Sequence, residues 1–167
     1  FHAGHASPLT TLAEIYEFEK PQARDCEQVV ANGNEALGYG ILAAGVRFGA
    51  GYPITPWSDI MELLRRELPK YDGMFVQCED EIAAVSMAIG ASWGGRVAVT
   101  GSSGPGISLK GEAIGWAVMA EIPLLVIDVQ RGGPSTGMPT NVEQSDLNIA
   151  CFGGHGDSPR VVLAPSS

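Results

Sequence analysis

Three consecutive carboxylates, Glu79, Asp80 and Glu81, stand where a predicted strand ends and a predicted helix begins. Acidic side chains at a helix N-terminus are favoured by about 0.3–1 kcal/mol through the helix dipole, so a purely structural role is one interpretation. Glu81, however, directly precedes an apolar helical segment, and a partly desolvated carboxyl has a raised affinity for protons. Such a group can exchange a proton with a ligand nitrogen. Glu81 is therefore the first candidate for chemistry.

A second candidate is Thr55, which lies in a stiff loop at residues 51–56 with the sequence GYPITP. The prolines of this loop, Pro53 and Pro56, fix φ at about −65° and push the preceding residues toward extended geometry. A rigid loop that carries a hydroxyl at the end of a strand suits ligand binding. An ordinary proline-rich turn between a strand and a helix is the alternative interpretation.

Arg131 is the third candidate. It follows a predicted buried strand, and the Gly-Gly-Pro sequence after it lets the chain leave without crowding the guanidinium. A guanidinium in that position can bind a carboxylate through two parallel hydrogen bonds. The alternative is a solvated arginine paired with one of the nineteen acidic residues.

Other polar positions are weaker candidates. The glycine-rich loop at residues 101–106 is no Walker loop, because Ile107 and Ser108 follow it instead of Lys and Ser or Thr. It does allow the backbone to approach a flat ligand closely. Asp128 is expected to make local hydrogen bonds, and His155 is expected to be a loop residue, since no second His or Cys lies nearby.

Short apolar strands that alternate with helices are expected to position these candidates. The predicted strands are residues 29–31, a run ending at 54, 74–78, 97–100, 124–129 and 160–164, and the predicted helices are 35–46, 58–68, 79–92, 107–120 and 144–151. This alternation indicates parallel βαβ units and an α/β fold with an open, mostly parallel sheet and helices on both faces. The helix that follows Glu81 is apolar all round and is expected to be buried. Because the candidate loops follow strands, they share the carboxyl edge of the sheet, where such sheets bind ligands.

Composition excludes several classes of function. The 167 residues favour one domain at 28–167, preceded by a linker or tail at 1–27. A net charge of −9 without a basic run argues against nucleic acid and anionic membranes as partners. No apolar stretch reaches the roughly 18 residues of a membrane span.

The cysteines and the chain ends carry further expectations. Cys26, Cys78 and Cys151 have no paired spacing, so we expect no metal site and no complete iron–sulfur ligand set in this chain. A reduced, cytoplasmic protein is the simplest inference. The chain begins at Phe1 and stops after an apolar run, so both ends look cut from a longer polypeptide.

Four motifs, taken together and in this order, resemble the α subunit of the 2-oxoacid:ferredoxin oxidoreductases, with the 2-oxoglutarate type most similar. They are residues 52–56 (YPITP), 79–81 (EDE), 103–106 (SGPG) and 130–137 (QRGGPSTG). The resemblance covers residues 33–167, and only the combination of motifs is specific. In that family this segment is the pyrimidine-binding domain for thiamine diphosphate.

The resemblance implies a role for each candidate. Glu81 would bond the aminopyrimidine ring nitrogen, Thr55 would contact the 2-oxoacid, and Arg131 would hold its carboxylate. The pocket around the cofactor would be shaped by Tyr52, Pro53, Ile54, Ser103 and Gly104. Trp57 departs from the family, which usually has a small residue there, and is expected to alter the mouth of the pocket.

The resemblance also implies a reaction and partners. The reaction would be CoA- and thiamine diphosphate-dependent conversion of 2-oxoglutarate to succinyl-CoA, with electrons passed to ferredoxin. No Gly-Asp-Gly followed by a distant Asn occurs here. Mg²⁺, the diphosphate and the [4Fe-4S] clusters are therefore expected on a β subunit or another domain, and this C-terminally incomplete fragment is expected to be inactive alone. Pyruvate, branched-chain or aryl 2-oxoacids are alternative substrates, and a non-catalytic α/β binding subunit is an alternative class.

Overall fold

The computed structural model describes residues 29–165, and from Ala31 onward they form one compact unit. The predicted linker or tail at residues 1–27, including Cys26, lies outside the described residues. The α-helices within the described range are α1 (Gly33–Ala43), α2 (Trp57–Glu67), α3 (Glu81–Trp93), α4 (Gly104–Met119) and α5 (Leu147–Phe152). The strands are β1 (Phe48–Gly51), β2 (Met74–Gln77), β3 (Ala98–Ser102) and β4 (Leu125–Asp128).

The strands of the described range form one parallel sheet with the order β2-β1-β3-β4. Helices cover both faces: α1 and α2 pack with Val99 on one face, and α3 packs with Ala50 and Ala98 on the other. The predicted α/β fold with an open parallel sheet is confirmed. The chain leaves β1 toward β2 and then crosses back to β3 on the other side of β1. A switch of direction of this kind opens a crevice at the carboxyl ends of the two strands.

Local sequence explains where the helices begin. Asn32 and Glu35 form a capping box at the start of α1, in which each side chain accepts a hydrogen bond from the other residue's backbone N–H. Asp80 caps α3 by accepting a bond from the N–H of Ala83 at 2.7 Å. Ile60 and Leu64 recur one turn apart on α2 and are fully buried against the sheet.

The sheet packs closely against α2 because glycines face the indole of Trp57. A Cβ atom at Gly51 would lie 2.9 Å from Trp57 Nε1, and one at Gly101 would overlap the indole ring. Trp57 is consequently fully buried, so the expectation that it alters the pocket mouth is wrong. Because Gly51 of β1 and Gly101 of β3 have no side chains, the indole fits between α2 and the sheet.

Three expectations about the elements are wrong. Residues 29–31 and 160–164 are not strands; Val30 and Val161 are exposed, and neither segment has a ladder partner among residues 29–165. Helix α3 is also not buried all round, because Ile82 and Trp93 are more than half exposed. The helix buries the stripe that faces the sheet and α4 and leaves its outer stripe open. None of the described helices is both long and apolar enough to cross a membrane.

Candidate active site

The candidate residues follow strands that are neighbours in the sheet. Gly51 at the end of β1 is paired with Gln77 of β2 on one side and with Gly101 of β3 on the other. Ser102 is paired in turn with Asp128 of β4. Parallel strands end at the same edge, so the segments that follow these residues meet at the crevice between β1 and β3.

Glu81 is the first residue of α3, and its side chain is turned inward. The residue is 8% exposed, unlike Glu79 and Asp80, which are exposed. Its carboxylate accepts no hydrogen bond from any residue that the structure describes. A carboxylate on a largely buried residue at a ligand-binding edge, without a partner among residues 29–165, is suited to receive a donor from a ligand.

The first turn of α4 forms a cradle around Glu81. A Cβ atom at Gly106 would lie 2.8 Å from Glu81 Cγ and would overlap Ser102 Oγ, so only glycine allows this approach. The hydroxyls of Thr100, Ser102 and Ser103 are buried, and within residues 29–165 they have no hydrogen-bond partner. The predicted loop at 101–106 is shorter than expected, since Ser102 ends β3 and Gly104 already begins α4.

Lys110, a residue outside the sequence-predicted candidates, contacts Glu81 from the next turn of α4. It is fully buried, and its Nζ donates a hydrogen bond to the backbone carbonyl oxygen of Glu81 at 3.2 Å. Burial lowers the pKa of the Lys110 ammonium to about 8, while Glu81, and after it Cys78 and Asp80, act in the opposite direction. The sequence shows a lone lysine on the helix face of Gly106, but it gives no sign that this lysine is buried.

Arg131 joins two loops at the other side of the crevice. It is 6% exposed, and it donates from Nη1 to the carbonyl oxygen of Thr55 at 3.0 Å and from Nη2 to that of Ser135 at 3.4 Å. Its Nε has no partner among the described residues. The alternative of a solvated arginine paired with an acid is therefore wrong. The structure brings the second and third candidates, Thr55 and Arg131, into direct contact.

The remaining pocket residues fall into two groups. On the β1 loop, Tyr52 and Pro53 are exposed, whereas Ile54 is half-buried and packs against the core beneath α2. At the start of α4, Ser103 is the N-cap residue but makes no capping bond with its side chain. The N–H of Gly104 instead donates to Asp146 Oδ2 at 3.1 Å, so a residue that the sequence analysis did not single out covers this helix terminus.

Asp128 and His155 were assigned ordinary structural roles from the sequence. For Asp128 the expected local hydrogen bonds are absent within the described range, and its Oδ1 is buried without a partner. Burial, and secondarily the charge of Asp146, raises the pKa of Asp128 to about 7. His155 lies in an irregular segment that passes beside Gly115 of α4, so it is a loop residue as expected.

Comparisons with known proteins identify related chains. Residues 39–167 match the family described as pyruvate flavodoxin/ferredoxin oxidoreductase, thiamine diphosphate-binding. The 2-oxoglutarate synthase subunit KorA of Methanocaldococcus jannaschii is 54% identical over 135 residues, and the 2-oxoglutarate oxidoreductase subunit KorA of Mycobacterium tuberculosis is 54% identical over 141 residues. Each comparison covers 81% of this chain, which spans only 37% and 21% of the two relatives.

A solved structure agrees with these sequence comparisons. The 2-oxoglutarate:ferredoxin oxidoreductase from Magnetococcus marinus, solved with 2-oxoglutarate, coenzyme A and succinyl-CoA bound, superposes with a TM-score of 0.79 at 51% identity. The superposition covers 81% of this chain and 24% of that chain. Since the family match extends over most of the chain and the fold agrees with it, the chain belongs to the thiamine diphosphate-binding family of the pyruvate flavodoxin/ferredoxin oxidoreductases.

Proposed function

We propose that this chain is the pyrimidine-binding part, residues 28–167, of the catalytic α subunit of a 2-oxoacid:ferredoxin oxidoreductase. The reaction is the CoA-dependent oxidative decarboxylation of 2-oxoglutarate to succinyl-CoA, with ferredoxin as the electron acceptor. The observation that carries the proposal is Glu81, a largely buried residue at the crevice whose Cγ packs against Gly106 and whose carboxylate accepts no hydrogen bond from residues 29–165. The names of the relatives and the ligands of the solved structure support 2-oxoglutarate as the substrate.

The surroundings of Glu81 fit the pyrimidine ring of thiamine diphosphate, which supplies the carbon nucleophile of such a decarboxylation when it is bound. Glu81 holds a hydrogen bond, and with it a proton, at a ring nitrogen, where a buried carboxyl is effective because little water competes. Gly106 lets the Glu81 side chain pack against α4, and the buried hydroxyls of Ser102 and Ser103, which have no partner within the described range, can bond a ligand at the end of β3. In this proposal Ser103 and Gly104 form one wall, and Tyr52, Pro53 and Ile54 form the other.

Thr55 and Arg131 are proposed to bind the substrate. A guanidinium has five N–H donors, and the carbonyl oxygens of Thr55 and Ser135 engage Nη1 and Nη2 of Arg131. The buried Nε–H has no partner within residues 29–165 and is available for a carboxylate oxygen. Thr55 is exposed, and in this proposal its hydroxyl contacts the 2-oxo group.

The proposal requires partner chains or domains. A β subunit is expected to bring the diphosphate-binding site with Mg²⁺ and the [4Fe-4S] clusters. The outer face of α3 and α4 supports such a contact, since a groove of about 700 Å³ there is lined by exposed apolar side chains. Those side chains include Ile82, Trp93, Leu109 and Trp116. Exposed apolar side chains gathered along one groove are typical of an interaction surface. The cytoplasmic location expected from the cysteines stays a prediction.

The test is an anaerobic assay of the complete assembly that contains this chain. Reduction of an electron acceptor is measured with CoA, with and without thiamine diphosphate, for 2-oxoglutarate, pyruvate, and branched-chain and aryl 2-oxoacids. We expect thiamine-dependent reduction with 2-oxoglutarate preferred. Preference for another 2-oxoacid would change the proposed substrate and leave the proposed oxidative decarboxylation unchanged. No reduction by a demonstrably intact assembly would favour the non-catalytic binding subunit.

The role of Glu81 is tested by Glu81→Gln in the same assembly. The amide keeps the shape of the side chain but cannot donate or accept a proton as the carboxyl does, so turnover is expected to fall by at least about 100-fold. Glu79→Gln is the matched control, because Glu79 is exposed two residues away. Near-normal turnover in Glu81→Gln would overturn the assignment.

A further inference from the structure

We infer that Lys110 is a positioning residue for Glu81: from α4 it fixes the first turn of α3 and thereby the place of the carboxylate that meets the cofactor. This inference rests on the proposed function of Glu81. It concerns how that carboxylate is held and adds a residue outside the four sequence motifs.

One face of α4 makes two contacts with Glu81, one through Gly106 and one through Lys110. Gly106 and Lys110 are four residues apart, so they lie above one another along the helix. Gly106 lets the Cγ atom of Glu81 approach the helix backbone, and Lys110 reaches the carbonyl oxygen of the same residue at 3.2 Å. The side chain of Glu81 and its backbone are therefore both fixed by α4.

The electrostatic surroundings argue against a purely structural role. The groups that act on the Lys110 ammonium are Cys78, Asp80 and Glu81, all on the segment between β2 and α3. Lys110 forms no salt bridge within the described residues, and Glu81 O is its hydrogen-bond acceptor there. Burying an ammonium with so few partners costs stability, and a methionine would fill similar space without that cost. A destabilising buried charge beside a ligand-binding carboxylate is typical of a functional site.

The bond from Lys110 also determines how precisely the carboxylate is placed. Glu81 is at the first position of α3, and Lys110 ties its carbonyl oxygen to the neighbouring helix. The ammonium supplies a charge-assisted bond at this position, from a helix that is itself packed along α3. Loss of the bond would let the first turn move, and small displacements of a catalytic group reduce its effectiveness strongly.

The test uses Lys110→Met in the complete assembly, with Lys70→Met as the matched control. Lys70 carries the same side chain but pairs with Glu67 at the surface. The dissociation constant for thiamine diphosphate is measured by titration of protein fluorescence, and the melting temperature is measured without the cofactor. We expect Lys110→Met to weaken cofactor binding about tenfold or more, while the melting temperature is unchanged or raised. A fall in the melting temperature with the same affinity as wild type would show a merely structural residue and overturn the inference.

A double-mutant cycle with Glu81→Gln separates the two proposals. If Lys110 acts through Glu81, then Lys110→Met should add little to the effect of Glu81→Gln on cofactor affinity. Full additivity of the two effects would overturn the positioning role. If Glu81→Gln alone bound and used the cofactor normally, the proposed function would fail instead, which is a distinguishable outcome.

Discussion

Arg131 Nη1 donates a hydrogen bond to the carbonyl oxygen of Thr55 at 3.0 Å, which links two loops that are 76 residues apart in the sequence. Because the bond uses the backbone of Thr55, it sets the position of the hydroxyl without occupying it. Arg131 thereby has two uses in the proposed site: it orders the β1 loop, and it retains a donor for a carboxylate.

Arg131→Lys should impair both uses at once. A lysine keeps the charge but carries its donors on one nitrogen in place of a planar fork, so it cannot reproduce the bonds from Nη1 and Nη2 to the carbonyl oxygens of Thr55 and Ser135 together. We expect KM for the 2-oxoacid to rise at least about tenfold and kcat to fall, because the Thr55 loop is released. Steady-state kinetics of the complete assembly measure both values. An unchanged kcat would mean that ordering of Thr55 does not contribute.

Gly106→Ala should reduce cofactor affinity although alanine favours helices by up to about 1 kcal/mol. The added methyl group would meet Glu81 Cγ and Ser102 Oγ, so the carboxylate must move. Gly111→Ala is the matched control, because it lies on the same helix and a Cβ there meets nothing within 4 Å. The control should raise the melting temperature and leave the dissociation constant for thiamine diphosphate unchanged. Equal affinity for thiamine diphosphate in Gly106→Ala and Gly111→Ala would contradict the proposed role of Gly106 in positioning Glu81.

Asp128→Asn should make stability less dependent on pH. The pKa of Asp128 is raised from 3.8 to about 7, so the folded state binds the proton more tightly than the unfolded state does. The stabilising contribution of the protonated form is complete below pH 3.8 and is lost as pH rises through about 7. At pH 8 the neutral amide should be more stable by about 2 kcal/mol after solvent screening is allowed for, and the difference should shrink toward pH 4. Melting curves of the full-length subunit at both pH values measure it.

Gly101→Ala should destabilise the fold without a direct effect on the site chemistry. The methyl group would overlap the ring of Trp57, which is fully buried and cannot move away. Overpacking of this kind costs about 1–3 kcal/mol. Gly90→Ala, where a Cβ has open space, is the control. Chemical denaturation should show a lower midpoint for Gly101→Ala alone, and equal midpoints would show that the core can adapt.

The period of the apolar residues was enough to predict the parallel sheet and the order of its helices, since short buried strands such as β3 leave few alternatives. The strand prediction failed at residues 160–164, although their composition is typical of a strand. A strand also needs a neighbouring strand to pair with, and composition does not show whether one is available. The motifs located Glu81, Thr55 and Arg131 on one edge. Lys110 was missed because its contact crosses 29 residues of sequence, and no local pattern shows that a lysine is buried.

The fit of one indole into two glycine positions has a consequence for engineering. Trp57 occupies the volume that side chains at Gly51 and Gly101 would need. A substitution at one of these three positions therefore requires matching residues at the other two. A loop graft that transfers residues 51–56 from a homologue without the matching residues at 57 and 101 would create either a cavity or a collision. Libraries that recombine this family for new substrates should therefore place their crossover points outside the interval from β1 to β3.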